Sequence, residues 1–303
     1  MNVDPVEIPE LEPGSTSYFS EPSDNLDPHL FQGTQLKDWV RSGILSLLFD
    51  YLARNYSEPR KWTDAWLAGS GVSYQWSAAR DPGDLDCLIG IDYVSFRSNN
   101  SEYAGLSNHE IAAMFNERFS QDLTPTTRNW EGYELTFYVN QQSDITDINP
   151  YAAYDLVSNT WTVAPEKNPQ PPYVRSWEQR AQRDHDTAVQ LVGRYNNALS
   201  EIKRASNPAH RTNAESKLRM ARDQAIAYYD DIHNGRKIAF SPIGGGYNDY
   251  NNYRWQAGKR SGAVQALRKI KEDTDLLKKQ SQVETYGVEL PRTDVLIRRS
   301  ING

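Results

Sequence analysis

One cysteine, Cys87, stands in 303 residues. An internal disulfide is therefore excluded, and a reducing cytoplasm is the expected compartment. Long apolar runs are missing too. The longest, residues 44–53, is interrupted by Ser46 and Asp50, whereas a membrane-spanning helix needs ~20 apolar residues. No membrane partner is expected. The first residues show neither a basic region nor an apolar stretch, so no secretory leader is expected. The five histidines are scattered, and no Cys/His spacing suits zinc. No internal repeat is visible. What is present is aromatic: eight Trp and 18 Tyr within 38% hydrophobic residues. That argues against a disordered chain and is enough for at least one sizeable core.

Charge divides the chain. Residues 1–30 carry seven acids and no base, residues 31–173 are net −8, residues 174–285 are net +7, and residues 286–303 add +1. An acidic front with a basic rear allows metal and phosphate chemistry in the first half and an anionic partner for the second. The layout expected is an acidic flexible arm (1–30), an α/β domain (31–164), a Pro-rich linker (165–173), a basic helical domain (174–285) and a tail (286–303). Helical spacing covers 35–55, and a capping box of Ser107 and Glu110 opens a helix over 108–120. Strands are expected at 65–68, 85–91, 133–139 and 160–163, with a short one at 295–297. Helices follow at 175–205, 208–234 and 256–281, around a Gly-, Asn- and Tyr-rich loop at 241–252.

The chemistry concentrates in one stretch: Ala68-Gly69-Ser70, thirteen residues, then Asp84-Leu85-Asp86. Residues i and i+2 of a strand share a face, so Asp84 and Asp86 project together. Two adjacent carboxylates repel unless a cation lies between them, and their hard oxygens suit Mg²⁺ or Mn²⁺. Gly69 lets backbone approach a phosphate. Ser70 can cap a helix over 72–78, whose N-terminus would be an anion site. Glu134, an acid among apolar residues on an expected strand, is the best third carboxylate, with Asp92, Asp144, Asp147 and Asp155 behind it. Cys87 alternates away from the acids and is expected as a small buried strand residue.

These motifs resemble the nucleotidyltransferase superfamily with the polymerase-β-like fold: Leu67-Ala68-Gly69-Ser70, then Asp84-Leu85-Asp86-Cys87, then Glu134. The string GSGVSYQWSAARDPGDLDCLIGID is similar to uncharacterised nucleotidyltransferase-like proteins of bacteriophages and actinobacteria. The resemblance covers residues 30–165. It implies an α+β architecture, a mixed-sheet nucleotidyltransferase-fold domain followed by an α-helical one, in a cytoplasm that includes that of a phage-infected host. It implies two-metal transfer of a nucleoside monophosphate from ATP or another nucleoside triphosphate to a hydroxyl acceptor, with pyrophosphate release. Asp84, Asp86 and Glu134 would hold the metal and act as catalytic residues, and Gly69 and Ser70 would grip the phosphates.

The rear half adds a softer feature. The Gly-rich run 244–246 leads to Arg254 and Lys259 near a helix start, where they could bind the nucleotide, and Tyr247, Tyr250 and Tyr253 could stack on its base. The P-loop spacing is absent. The acceptor stays open among RNA, protein and small molecules. Two other classes stay open: a non-catalytic nucleotide-binding regulator or virion component of the same fold, and an RNA-modifying toxin or defence-linked enzyme.

Overall fold

A computed structural model describes residues 5–8, 22–76, 83–139, 145, 148–167 and 174–286. The chain divides into two compact units. One contains described residues 22–167, the other residues 5–8 with 174–286. The architecture is α+β, with a mixed five-stranded sheet and a helical C-terminal part.

The first unit opens with a small hairpin, β1 (Phe31–Gln32) and β2 (Gln35–Leu36), followed by α1 (Asp38–Asn55). Then come β3 (Thr63–Ala68), β4 (Gly83–Ile91), α2 (Tyr93–Asn99) and α3 (Asn108–Arg118). A π-helical turn leads into α4 (Thr124–Thr127), and β5 (Tyr133–Val139), β6 (Ala153–Asp155) and β7 (Thr160–Val163) complete the sheet. The strand order is β5-β4-β3-β6-β7. Only β4 and β5 run parallel; the other pairs are antiparallel. A parallel neighbour requires a crossover, which the helices between β4 and β5 supply.

Alternation gives the sheet two different faces. Leu67, Leu85, Cys87, Ile89, Leu135, Phe137 and Val139 turn to a core shared with Ile44, Leu48 and Leu52 of α1, Phe96 of α2 and Phe115 of α3. On the other face, Trp66, Ala68, Leu88 and Ala153 form a smaller apolar cluster, and Asp84, Asp86, Glu134 and Thr136 lie in register beyond it.

The second unit contains α5 (Arg175–Arg204), α6 (Pro208–Ala239), α7 (Tyr250–Arg260) and α8 (Ala263–Tyr286). Leu191, Val192 and Tyr195 of α5 meet Ala225, Tyr229 and Ile232 of α6, Trp255 of α7, and Leu267 and Ile270 of α8.

Several expectations need correction. The 256–281 helix is two helices, because Gly262 adopts a left-handed φ of +73° and ends α7. Helix α6 runs to Ala239 rather than 234, passing through Gly235, where the Asn251 side chain packs against the helix. The acidic N-terminal stretch is not a free arm where it is described. Val6 is buried in the helical unit, and its backbone N–H and C=O are both bonded by the Asn196 side chain, at 3.0 and 2.7 Å. Leu26 and Leu30 are buried in the sheet unit, and Asp24 meets Lys167 at 2.6 Å. Val6, Leu26 and Leu30 are what anchor its described residues. The expected strand at 295–297 and most of the Pro-rich segment lie outside the described residues.

Candidate active site

The two aspartates lie on β4 at the end of the sheet where β3 finishes. Ala68, the last residue of β3, pairs with Asp86. On the other side, Asp84 pairs with Glu134 and Asp86 with Thr136. Paired residues of adjacent strands lie ~4.8 Å apart and point the same way. The three carboxylates therefore occupy one face of two neighbouring strands. All three are half-buried. The Thr136 hydroxyl donates to Asp86 Oδ1 at 3.0 Å and fixes that carboxylate's orientation. Sequence reasoning missed Thr136, though its signal was present: it stands two residues after Glu134 on the same strand face.

The Gly-Ser turn closes over this end. Gly69 has φ +92° and ψ −160°, a conformation that only glycine adopts without strain. Its N–H donates to the Ala152 carbonyl at 3.0 Å. A Cβ built there would stand 3.5 Å from Asp86 Oδ2, and one at Gly71 would stand 2.4 Å from the Asp84 carbonyl oxygen. Backbone thus lies directly against the acidic pair. The helix expected at 72–78 does not form as far as Trp76. Ser70–Val72 is a single 3₁₀ turn in which Ser70 is the first residue and Gly69 holds the N-cap position. The Ser73 N–H closes this turn on the Ser70 carbonyl at 3.1 Å, and the Ser73 hydroxyl bonds the same carbonyl at 2.9 Å. Ser73 is extended. Ser70 is exposed beside the acids. Two residues beyond Ser73, Gln75 is buried with no partner for its Nε2 among the described residues.

Other sites fall elsewhere. Asp92 caps α2 and Asp155 caps the turn after β6, so these fallback acids are used structurally. Asp144 and Asp147 lie outside the described residues. Cys87 faces the core, and its thiol is pushed well above the usual range by burial and then by the Asp86 charge. It is no nucleophile.

Arg254 and Lys259 both belong to α7 of the helical unit. The Arg254 fork is taken up inside that unit. Its Nε and one terminal nitrogen bond Asp184 at 2.9 and 3.0 Å, and the other bonds Asp231 at 2.7 Å. Burial works against its charge, but these carboxylates more than compensate and hold it ionised. The donors expected to hold a triphosphate are thus largely spent. The Tyr228 hydroxyl also donates to Asp184, at 2.5 Å, and its pKa is pushed up to about 12 by burial and by that carboxylate. Tyr247 and Tyr253 are buried rather than open to a base.

The donor set of Asp84, Asp86, Glu134 and Thr136 is entirely hard oxygen, which fits a divalent cation such as Mg²⁺. Among the described residues, no three acidic, His or Cys side chains already converge as a metal-binding group.

No family model, curated protein or solved structure matches this chain. The functional reading therefore rests on the site's own geometry.

Proposed function

We propose that the sheet unit is a metal-dependent nucleotidyltransferase of the polymerase-β-like fold, moving a nucleoside monophosphate from a nucleoside triphosphate to a hydroxyl acceptor. One observation carries this reading: three carboxylates share one sheet face across β4 and β5, and the glycine turn that ends β3 lies against Asp86. Asp84 and Asp86, with Glu134, would hold Mg²⁺ or Mn²⁺, which when bound supplies charge neutralisation for the triphosphate. The chain's own residues divide the remaining work. The backbone at Gly69 admits the phosphates closely, and the exposed Ser70 hydroxyl can donate to them. Thr136 holds Asp86 in one orientation. Glu134 accepts the proton of the attacking hydroxyl. The new bond joins that oxygen to the α-phosphorus as the bond to the bridging oxygen breaks and pyrophosphate leaves.

A second reading keeps the site and its nucleotide without turnover: a nucleotide-binding regulator of this fold that performs no transfer. Incubation with each α-labelled triphosphate and Mg²⁺ or Mn²⁺ distinguishes the two, with RNA, protein and small hydroxyl acceptors offered separately. Calorimetry of NTP binding accompanies it. Label transfer by the wild type and its loss in the Asp84→Asn, Asp86→Asn double variant is the expected result. Binding without transfer selects the regulator. Absence of both binding and transfer, or transfer that survives the double substitution, overturns the proposal.

A further inference from the structure

The helical unit contains a cleft of about 280 Å³ lined by Arg180, Arg183, Asp184, Tyr250, Asn251 and Arg254. Residues 180, 183 and 184 follow the i, i+3, i+4 spacing that places them on one face of α5. The cationic residues differ in how they are neutralised. Arg254 bonds Asp184 twice and Asp231 once, so its charge is fully taken up by these two carboxylates. Arg180 lies over the Tyr250 ring at 3.8 Å, and that ring stands edge-on to Trp177, so the guanidinium has a firm platform. Among the described residues the Arg183 side chain bonds within its own helix, from Nε to the Gln179 carbonyl at 3.3 Å. Neither Arg180 nor Arg183 forms an ion pair among the described residues.

We propose that this cleft binds a phosphate monoester dianion. Two guanidiniums without ion-pair partners among the described residues can each bond a phosphoryl oxygen, and a monoester carries a charge of ~−2 at neutral pH. A diester, with one charge and fewer free oxygens, is held less strongly. Guanidinium forks also suit phosphate oxygens in geometry. The volume sets the size of the ligand. At about 280 Å³ the cleft is just below the ~300–1,000 Å³ of sites that enclose a whole small molecule. It accommodates a phosphoryl group whose remaining part extends outward. All six lining residues lie in the helical unit, so the proposal stands apart from the nucleotide-transfer reading.

Isothermal titration of the full chain tests it, with inorganic phosphate, a nucleoside 5′-monophosphate and dimethyl phosphate as separate probes. Saturable binding of the first two is expected, with clearly weaker binding of the diester. The first two probes distinguish free phosphate from phosphate carried on a larger molecule. Arg180→Gln and Arg183→Gln should each weaken binding by roughly tenfold or more, as expected for a lost charge-assisted hydrogen bond. Arg211→Gln is the control. That residue is exposed on α6 and paired with Glu215 at 3.1 Å, so its loss should leave affinity unchanged. Among the described residues Arg183 bonds nothing beyond its own helix, so Arg183→Gln remains informative if Arg180→Gln disturbs the aromatic platform. Absence of saturable phosphate binding overturns the proposal. So does unchanged affinity in Arg183→Gln, an equal loss in Arg211→Gln, or equal binding of the diester.

Discussion

Gly69 is the residue on which the candidate site turns. Its φ of +92° with an extended ψ lies where side chains are strained, and its N–H bond to Ala152 holds it there. Gly69→Ala should therefore cost about 1–3 kcal/mol, read as a lower urea midpoint, while Gly105→Ala, in open space with ordinary backbone, should be near neutral. The pairing of Asp84 with Asp86 and the inward turn of Cys87 were legible in the sequence, because strand alternation is a rigid rule. The engagement of Arg254 was not. Its partner Asp184 is 70 residues away on another helix, and no local pattern indicates a tertiary ion pair. The helix expected after Ser70 fails for the opposite reason: the local signal was present, but the backbone is extended at Ser73 after a single turn.

At the scale of elements, local chemistry governs what could be foreseen. The Ser107–Glu110 capping box forms as expected. The Ser107 hydroxyl accepts from the Glu110 N–H at 3.3 Å, and the Glu110 carboxylate accepts from the Ser107 N–H at 2.9 Å. Ser107→Ala should cost about 1 kcal/mol, measured by chemical denaturation. Strands β5 and β7 match their expected bounds because both are set off by turn residues. Helix α2 escaped notice because its seven residues are too few to show a period. The break between α7 and α8 was overlooked because apolar spacing continues through it, although Gly262 just past Arg260 is an ordinary helix-end signal. The three-residue β6 is defined by its pairing with β3, which a linear reading cannot show.

For the whole molecule, pH acts on the helical unit through two histidines. Burial lowers the pKa of His185 and of His233 below 6.5, and Lys237 and Arg236 lower His233 further. Below pH 6.5 the unfolded chain therefore takes up protons that the folded chain resists. Stability is fully present above 6.5 and declines as pH falls toward the lower, folded-state values. Urea midpoints should fall between pH 7.5 and 5.5, and the His185→Gln, His233→Gln double variant should flatten that slope; an unchanged slope would contradict the assignment. The parallel pairing of β4 with β5 has a consequence of another kind, in the order of assembly. Asp86 and Thr136 are 50 residues apart, so their contact must await closure of a long loop and the docking of α2 and α3. Non-local pairings of this kind form slowly because chain entropy is lost before contacts compensate for it. Glu134 reaches Asp84 in the same event, bringing like charges together. The nascent chain therefore has no acidic cluster until it has emerged at least as far as β5, and the site comes into being only as the sheet closes.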